Sequence, residues 1–126
     1  MAFAGLAGKQ ATKNTGRILE NMVFLHLYRH RINEDYEVFY YKQEVEVDFV
    51  VFKNREVYEL IQVAETLADE RTQKREVRAL LAAEQKLHAR KLTIITLNEP
   101  KNLHRRIKSV PVTKWMLRKT IIPEDE

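Results

Sequence analysis

Asp48 lies inside the apolar run Glu46-Val47-Asp48-Phe49-Val50-Val51, and a second run, Tyr58-Glu59-Leu60-Ile61-Gln62-Val63-Ala64, follows the polar turn Lys53-Asn54-Arg55-Glu56. An acid in a β-branched strand, faced by polar positions on the next strand, can hold a hard divalent cation against a phosphate. With a three-residue loop in the turn, Asp48 falls opposite Gln62, and the pleat puts Ala64 on the same face. A one-residue slip would separate them. Glu20, with Phe24 and Leu27 at helical spacing beyond it, projects from the first helix toward that corner. Asp48, the Gln62 carbonyl and Glu20 could then offer oxygens to Mg²⁺. The plainer alternative is one polar residue on a half-exposed strand and a second at the end of its neighbour.

Other constellations point less sharply. His26 and His30 sit four apart on a helix, as in zinc hydrolases, but Leu27 stands where the general-base glutamate belongs. Gly5-Leu6-Ala7-Gly8-Lys9 is too short for a phosphate loop, and Gln10 replaces the magnesium-binding Ser or Thr, so this chain is not expected to bind a nucleotide. Basic clusters occur at Arg71 to Arg75, at His88 to Lys91 and at His104-Arg105-Arg106-Ile107-Lys108. Glu70, Glu76 and Glu84 balance the first as a solvated face. Arg105, Arg106 and Lys108 have fewer acids nearby and form the better site for nucleic-acid phosphates. Tyr40 and Tyr41 could stack on bases, although adjacent strand residues point to opposite faces.

The elements that must position these groups are legible as periodicities. A helix capped near Asn14-Thr15-Gly16 runs through Tyr28, with apolar residues around much of its circumference, which places it deep against a sheet. Strands follow at Tyr36 to Tyr41, Val45 to Phe52 and Val57 to Val63, as an antiparallel meander. A long amphipathic helix spans about Asp69 to His88, then a buried strand Lys91 to Leu97. Ile107 to Val112 is a short edge strand because of Pro111, and Thr113 to Leu117 is a terminal helical turn. The third and fourth strands with the long helix between them form a βαβ crossover, and the whole is an α/β layer arrangement around a mixed sheet.

Composition sets the outer bounds. The 126 residues fit one domain, with 44% hydrophobic and 32% charged residues. The absence of cysteine excludes disulfides, thiolate catalysis and cysteine-ligated zinc. A net charge of +4 permits a polyanionic partner without demanding one. No apolar run approaches the roughly 20 residues of a membrane span. Residues 1–14 read as a linker or an expression remnant, residues 15–126 as the domain, and the cytoplasm as its location.

Taken in order, Gly16-Arg17-Ile18-Leu19-Glu20-Asn21, Tyr40-Tyr41 with Glu46 to Val50, Glu59-Leu60-Ile61-Gln62-Val63, Arg75 to Leu81, Leu92 to Leu97 and Trp115 resemble a known domain. It is the C-terminal domain of a large group of archaeal and bacterial AAA+ ATPases, related to PD-(D/E)XK nucleases. The resemblance implies a restriction-endonuclease-like α-β-β-β-α-β core. It implies the helix acid at Glu20, the strand acid at Asp48 and the (D/E)-X-K element at Gln62-Val63-Ala64, with Mg²⁺ as the metal. Two of those last three positions depart from the pattern. Glutamine offers a metal an uncharged oxygen, and alanine cannot replace the lysine that steadies developing negative charge. Lys74, Arg71 and Arg75 are the nearest substitutes along the chain. The expectation is a catalytically weak or silent module of an ATPase that binds nucleic acid or a protein partner. The alternatives are an active Mg²⁺-dependent phosphodiesterase using Glu20, Asp48 and Gln62, and a domain for self-assembly or ATPase docking.

Overall fold

The computed structural model describes residues 9–98 and 101–123. The Gly5 to Gly8 part of the glycine-rich segment lies outside them. The first helix, α1 (Lys9–Glu34), begins earlier and ends later than the expected cap and exit. No proline interrupts residues 9–34, so Gly16 is carried inside the helix instead of starting it. The helix stops where Asp35 takes the left-handed conformation at φ 55° and the Tyr36 N–H reaches back to the Arg31 carbonyl. That is the Schellman pattern, which satisfies a terminal carbonyl.

Three strands follow, β1 (Glu37–Lys42), β2 (Glu46–Lys53) and β3 (Glu56–Ala64), then α2 (Glu70–Leu87), β4 (Lys91–Thr96), β5 (Ile107–Pro111) and the short α3 (Val112–Met116). The sheet order is β1-β2-β3-β4-β5. The first three strands are antiparallel, and β3, β4 and β5 run parallel. The Asp69 side chain caps α2 by accepting the Arg71 N–H at 3.0 Å. Pro111 sits at the end of an edge strand, as its missing N–H requires.

The β2–β3 register reaches its expected value by a different route. Asn54 and Arg55 form a two-residue turn with φ of 54° and 65°, pairing Lys53 with Glu56 and Phe52 with Val57. A bulge then leaves Tyr58 as an extra residue, so Val51 pairs with Glu59 and Phe49 with Ile61. Continued one step, this register sets Asp48 opposite Gln62. On its other edge β2 bulges again: Val47 and Val50 pair with Tyr41 and Phe39, leaving Asp48 and Phe49 opposite Tyr40 alone. Asp48 therefore sits at a kink between two irregularities.

Each sheet face has its own core. One holds Leu19, Val23 and Leu27 of α1 with Ile61, Ile95 and Trp115; the other holds Leu80 and Ala83 of α2 with Val50, Leu60, Leu92 and Ile94. Against expectation, α1 is buried along a single stripe. Phe24, Leu25, Tyr28 and Ile32 remain exposed.

Two backbone positions are open to improvement. A Cβ added at Gly16 meets nothing within 4 Å, so Gly16→Ala should raise stability by about 0.5–1 kcal/mol. Arg55→Gly, which suits the left-handed turn, should add a comparable amount. Urea unfolding of each variant checks both, and a loss of stability in Arg55→Gly would contradict the turn geometry.

Candidate functional site

At the kink, β2 and β3 are joined through side chains. The Asp48 N–H donates to Gln62 Oε1 at 2.8 Å, and Gln62 Nε2 donates to the Glu46 carbonyl at 2.9 Å. In return, Asp48 Oδ2 accepts the Val63 N–H at 2.8 Å. The bulge takes backbone groups out of ladder reach, and a buried amide with one acceptor and one donor end replaces the missing bonds. Gln62 is 3% exposed. Ala64, at 8% exposed, packs with Leu60, Leu67 and Leu80 in the core beneath α2.

Asp48, Gln62 and Val63 border a cavity of about 670 Å³ between the sheet and α2. Glu20, Asp48 and Gln62 all line it, so the three expected site residues do meet. Glu44 and Glu46 share the wall, as does Glu76, which the charge pattern of the sequence places on a solvated face. Glu76 had a signal: it stands three residues before Ala79 and seven before Ala83, both buried, so a carboxylate falls on the inward stripe of α2. Arg71, Lys74, Arg75 and Arg78 line the same cavity, at the spacing of one helical face. All four are exposed, as a solvated face requires, and they also border the cavity.

Burial is the main reason that the Asp48 carboxyl is pushed up to about 7, with Glu20, Glu76 and Glu46 adding like-charge repulsion and the Val63 N–H partly opposing them. Burial likewise raises Glu76, against the pull of Arg75, whose Nε lies 3.3 Å from Glu76 Oε1. Asp48 and Gln62 each commit an oxygen to a backbone N–H. Among the described residues no group of three His, Asp or Glu side chains is placed to hold a metal ion. The donor set does not fit a preformed Mg²⁺ cage, and its chemistry is that of a polar pocket with a carboxyl titrating near neutrality.

The other sequence candidates are dispersed. Arg106 is tied to α2, 3.5 Å from Glu84 and donating to the Ala89 carbonyl at 3.4 Å. Arg105 is exposed in the turn, and Lys108 borders a different cavity on the opposite sheet face. His26 is a core residue, its ring 4.9 Å from Trp115 and 4.6 Å from His30, and burial lowers its pKa. Tyr40 is exposed, while Tyr41 is partly buried against the core under α2.

Because the folded-state pKa of Asp48 lies above its ordinary 3.8, the native state holds a proton that the unfolded chain releases. Its contribution is fully present below pH 4 and is lost as pH rises through 7. After discounting for partial exposure the loss is roughly 2 kcal/mol. In Asp48→Asn, which keeps an oxygen for the Val63 N–H, the fall in stability between pH 4 and pH 8 should shrink by about this amount. Urea titrations at both pH values measure it, and parallel profiles for the two proteins would remove the assigned shift.

A family model described as "Domain of unknown function (DUF4143)" matches residues 15–115. "Uncharacterized protein MJ1544" of Methanocaldococcus jannaschii is 40% identical over 116 residues, covering 84% of this chain and 26% of its own length. The chain thus spans about a quarter of that relative. No solved structure matches it significantly. With the match running from the interior of α1 through every strand to Trp115, the chain belongs to the DUF4143 family.

Proposed function

We propose that this chain is a nucleic-acid-binding module on a restriction-endonuclease-like core, catalytically weak or inactive, carried by a AAA+ ATPase. The observation that carries this reading is the basic face Arg71-Lys74-Arg75-Arg78 bordering the Asp48 cavity. Four cations along one side of a helix follow a phosphate backbone better than they serve a single small ligand. The order helix, three antiparallel strands, helix, parallel strand is the one that the nuclease resemblance implies. The site itself argues for binding over cleavage. Gln62 has both ends of its amide engaged with β2, and Ala64 supplies no cation.

Two alternatives keep specific support. Arg71, Lys74 and Arg75 line the cavity with Glu20, Asp48 and Gln62, so a cation from α2 could stand in for the motif lysine of an active Mg²⁺-dependent phosphodiesterase. The exposed apolar residues of α1, with Phe24 stacked 5.4 Å from Tyr28 and 6.2 Å from Phe49, offer a surface for a protein partner, the ATPase module or a second copy.

Fluorescence anisotropy with labelled single- and double-stranded DNA and RNA tests the main reading. Binding should weaken at least tenfold between about 50 and 200 mM salt, and by a similar factor in Arg71→Glu/Lys74→Glu/Arg78→Glu. Incubation of plasmid with Mg²⁺ or Mn²⁺ should leave it intact. Cleavage that disappears in Asp48→Ala would install the enzyme reading instead, and salt-insensitive binding would remove the basic face.

A further inference from the structure

A second cavity, of about 610 Å³, opens on the opposite sheet face, beside α3. Lys91 and Thr93 of β4 and Lys108 and Val110 of β5 reach it by strand alternation, Thr93 and Lys108 being partners in the parallel ladder. Lys114 of α3 and Arg118 just beyond it contribute from the other side. Four cations from separate elements thus border one cavity, and no acidic side chain is among its described lining residues. Neither Lys108 nor Lys114 has an ion-pair partner among the described residues. Arg118 gives one Nη2 donor to the Ile121 carbonyl at 2.6 Å and retains the rest of its guanidinium.

The walls between the cations are apolar. Val110, Pro111, Leu117 and Pro123 line them, and Leu117 is 82% exposed. At the floor the Thr93 hydroxyl donates to the fully buried Glu59 carboxylate at 2.5 Å. The cations stand at the rim and the apolar walls leave the interior to an uncharged body. The size lies within the range of small-molecule sites.

We infer that this cavity binds a phosphate monoester joined to an apolar or aromatic body, a nucleoside monophosphate either free or as the phosphorylated end of a strand. Cations brought to one cavity from two strands and the end of α3 can converge on a single dianion, whereas those of α2 all stand on one helix face. The site is independent of the Asp48 corner and of the Gly5 to Lys9 segment, so failure of either reading leaves the other standing.

Amide NMR and calorimetry on the whole chain test it, with AMP, adenosine, inorganic phosphate, and one oligonucleotide with and without a 5′-phosphate. AMP should shift the amides of Thr93, Val110 and Leu117, and adenosine should not. A preference for AMP over the phosphorylated oligonucleotide assigns the free nucleotide, and the reverse assigns the strand end. Lys108→Glu/Lys114→Glu should weaken AMP binding at least tenfold. The charge-matched control Lys42→Glu/Lys86→Glu, on exposed residues away from the cavity, should leave it unchanged and shows that net charge is not the cause. Absence of shifts at millimolar AMP, equal binding by the two variants, or binding of a Glu-Asp-Glu peptide in place of AMP overturns the inference.

Discussion

The side-chain amide of Gln62 is the bond on which the architecture of the Asp48 corner depends. Where β2 bulges away from its neighbours, the Asp48 N–H and Glu46 carbonyl lose regular ladder partners, and one buried amide satisfies both. A carboxylate at position 62 would accept from Asp48 but leave the Glu46 carbonyl facing a like charge, beside Asp48, Glu20 and Glu76. Glutamine is thus the residue that lets the strands diverge without an unpaired backbone group. The same choice removes the negative charge that a metal would seek. Structural closure and metal affinity pull position 62 in opposite directions, and here closure prevails.

The sheet divides the molecule electrostatically as well as sterically. Its α2 face collects carboxylates at the kink and a line of cations above them; its α3 face collects lysines around an apolar hollow. A net charge of +4 conceals this division: the cavity on the α2 face is lined by both signs, the cavity on the α3 face by cations without a described acid. Strand alternation does much of the sorting. Gln62 and Thr93 occupy neighbouring strands yet serve opposite cavities, since Gln62 pairs with Ile94.

The elements were legible wherever a strong period met a clear stop. Helix α2 lies within one residue of its expected ends because Asp69 caps it and the chain turns left-handed at His88. The meeting of Asp48, Gln62 and Glu20 was legible too, through the register, although the loop is shorter than assumed and a bulge at Tyr58 makes up the residue. Bulges are tertiary devices with no local signature here, so composition could not reveal them. Gly16 misled as a helix start because a single glycine costs only about 1 kcal/mol in a long helix. The basic cluster at Arg105 to Lys108 is contiguous in sequence but dispersed in space, for a geometric reason. Arg106 lies in a turn that reaches α2, and Lys108 lies on a strand whose alternation sends it through the sheet plane to the other side.

Helix α1 shows how burial can be overread from apolar content. Leu19, Val23 and Leu27 repeat at four-residue spacing and meet the sheet, so the helix axis is fixed by one narrow stripe. The far end is secured by polar bonds, since the Glu34 carboxylate accepts the Ile121 and Ile122 N–H groups at 2.8 to 3.0 Å and ties the C-terminal segment to the helix exit. With both the stripe and the exit satisfied, Leu25, Tyr28 and Ile32 remain at the surface. Phe24 instead extends a stack from Tyr28 to Phe49 of β2, toward the edge where β1 leaves Phe39 and Tyr40 half exposed. Exposed aromatic side chains beside an edge strand are costly in water, and the packing of the described residues does not cover them.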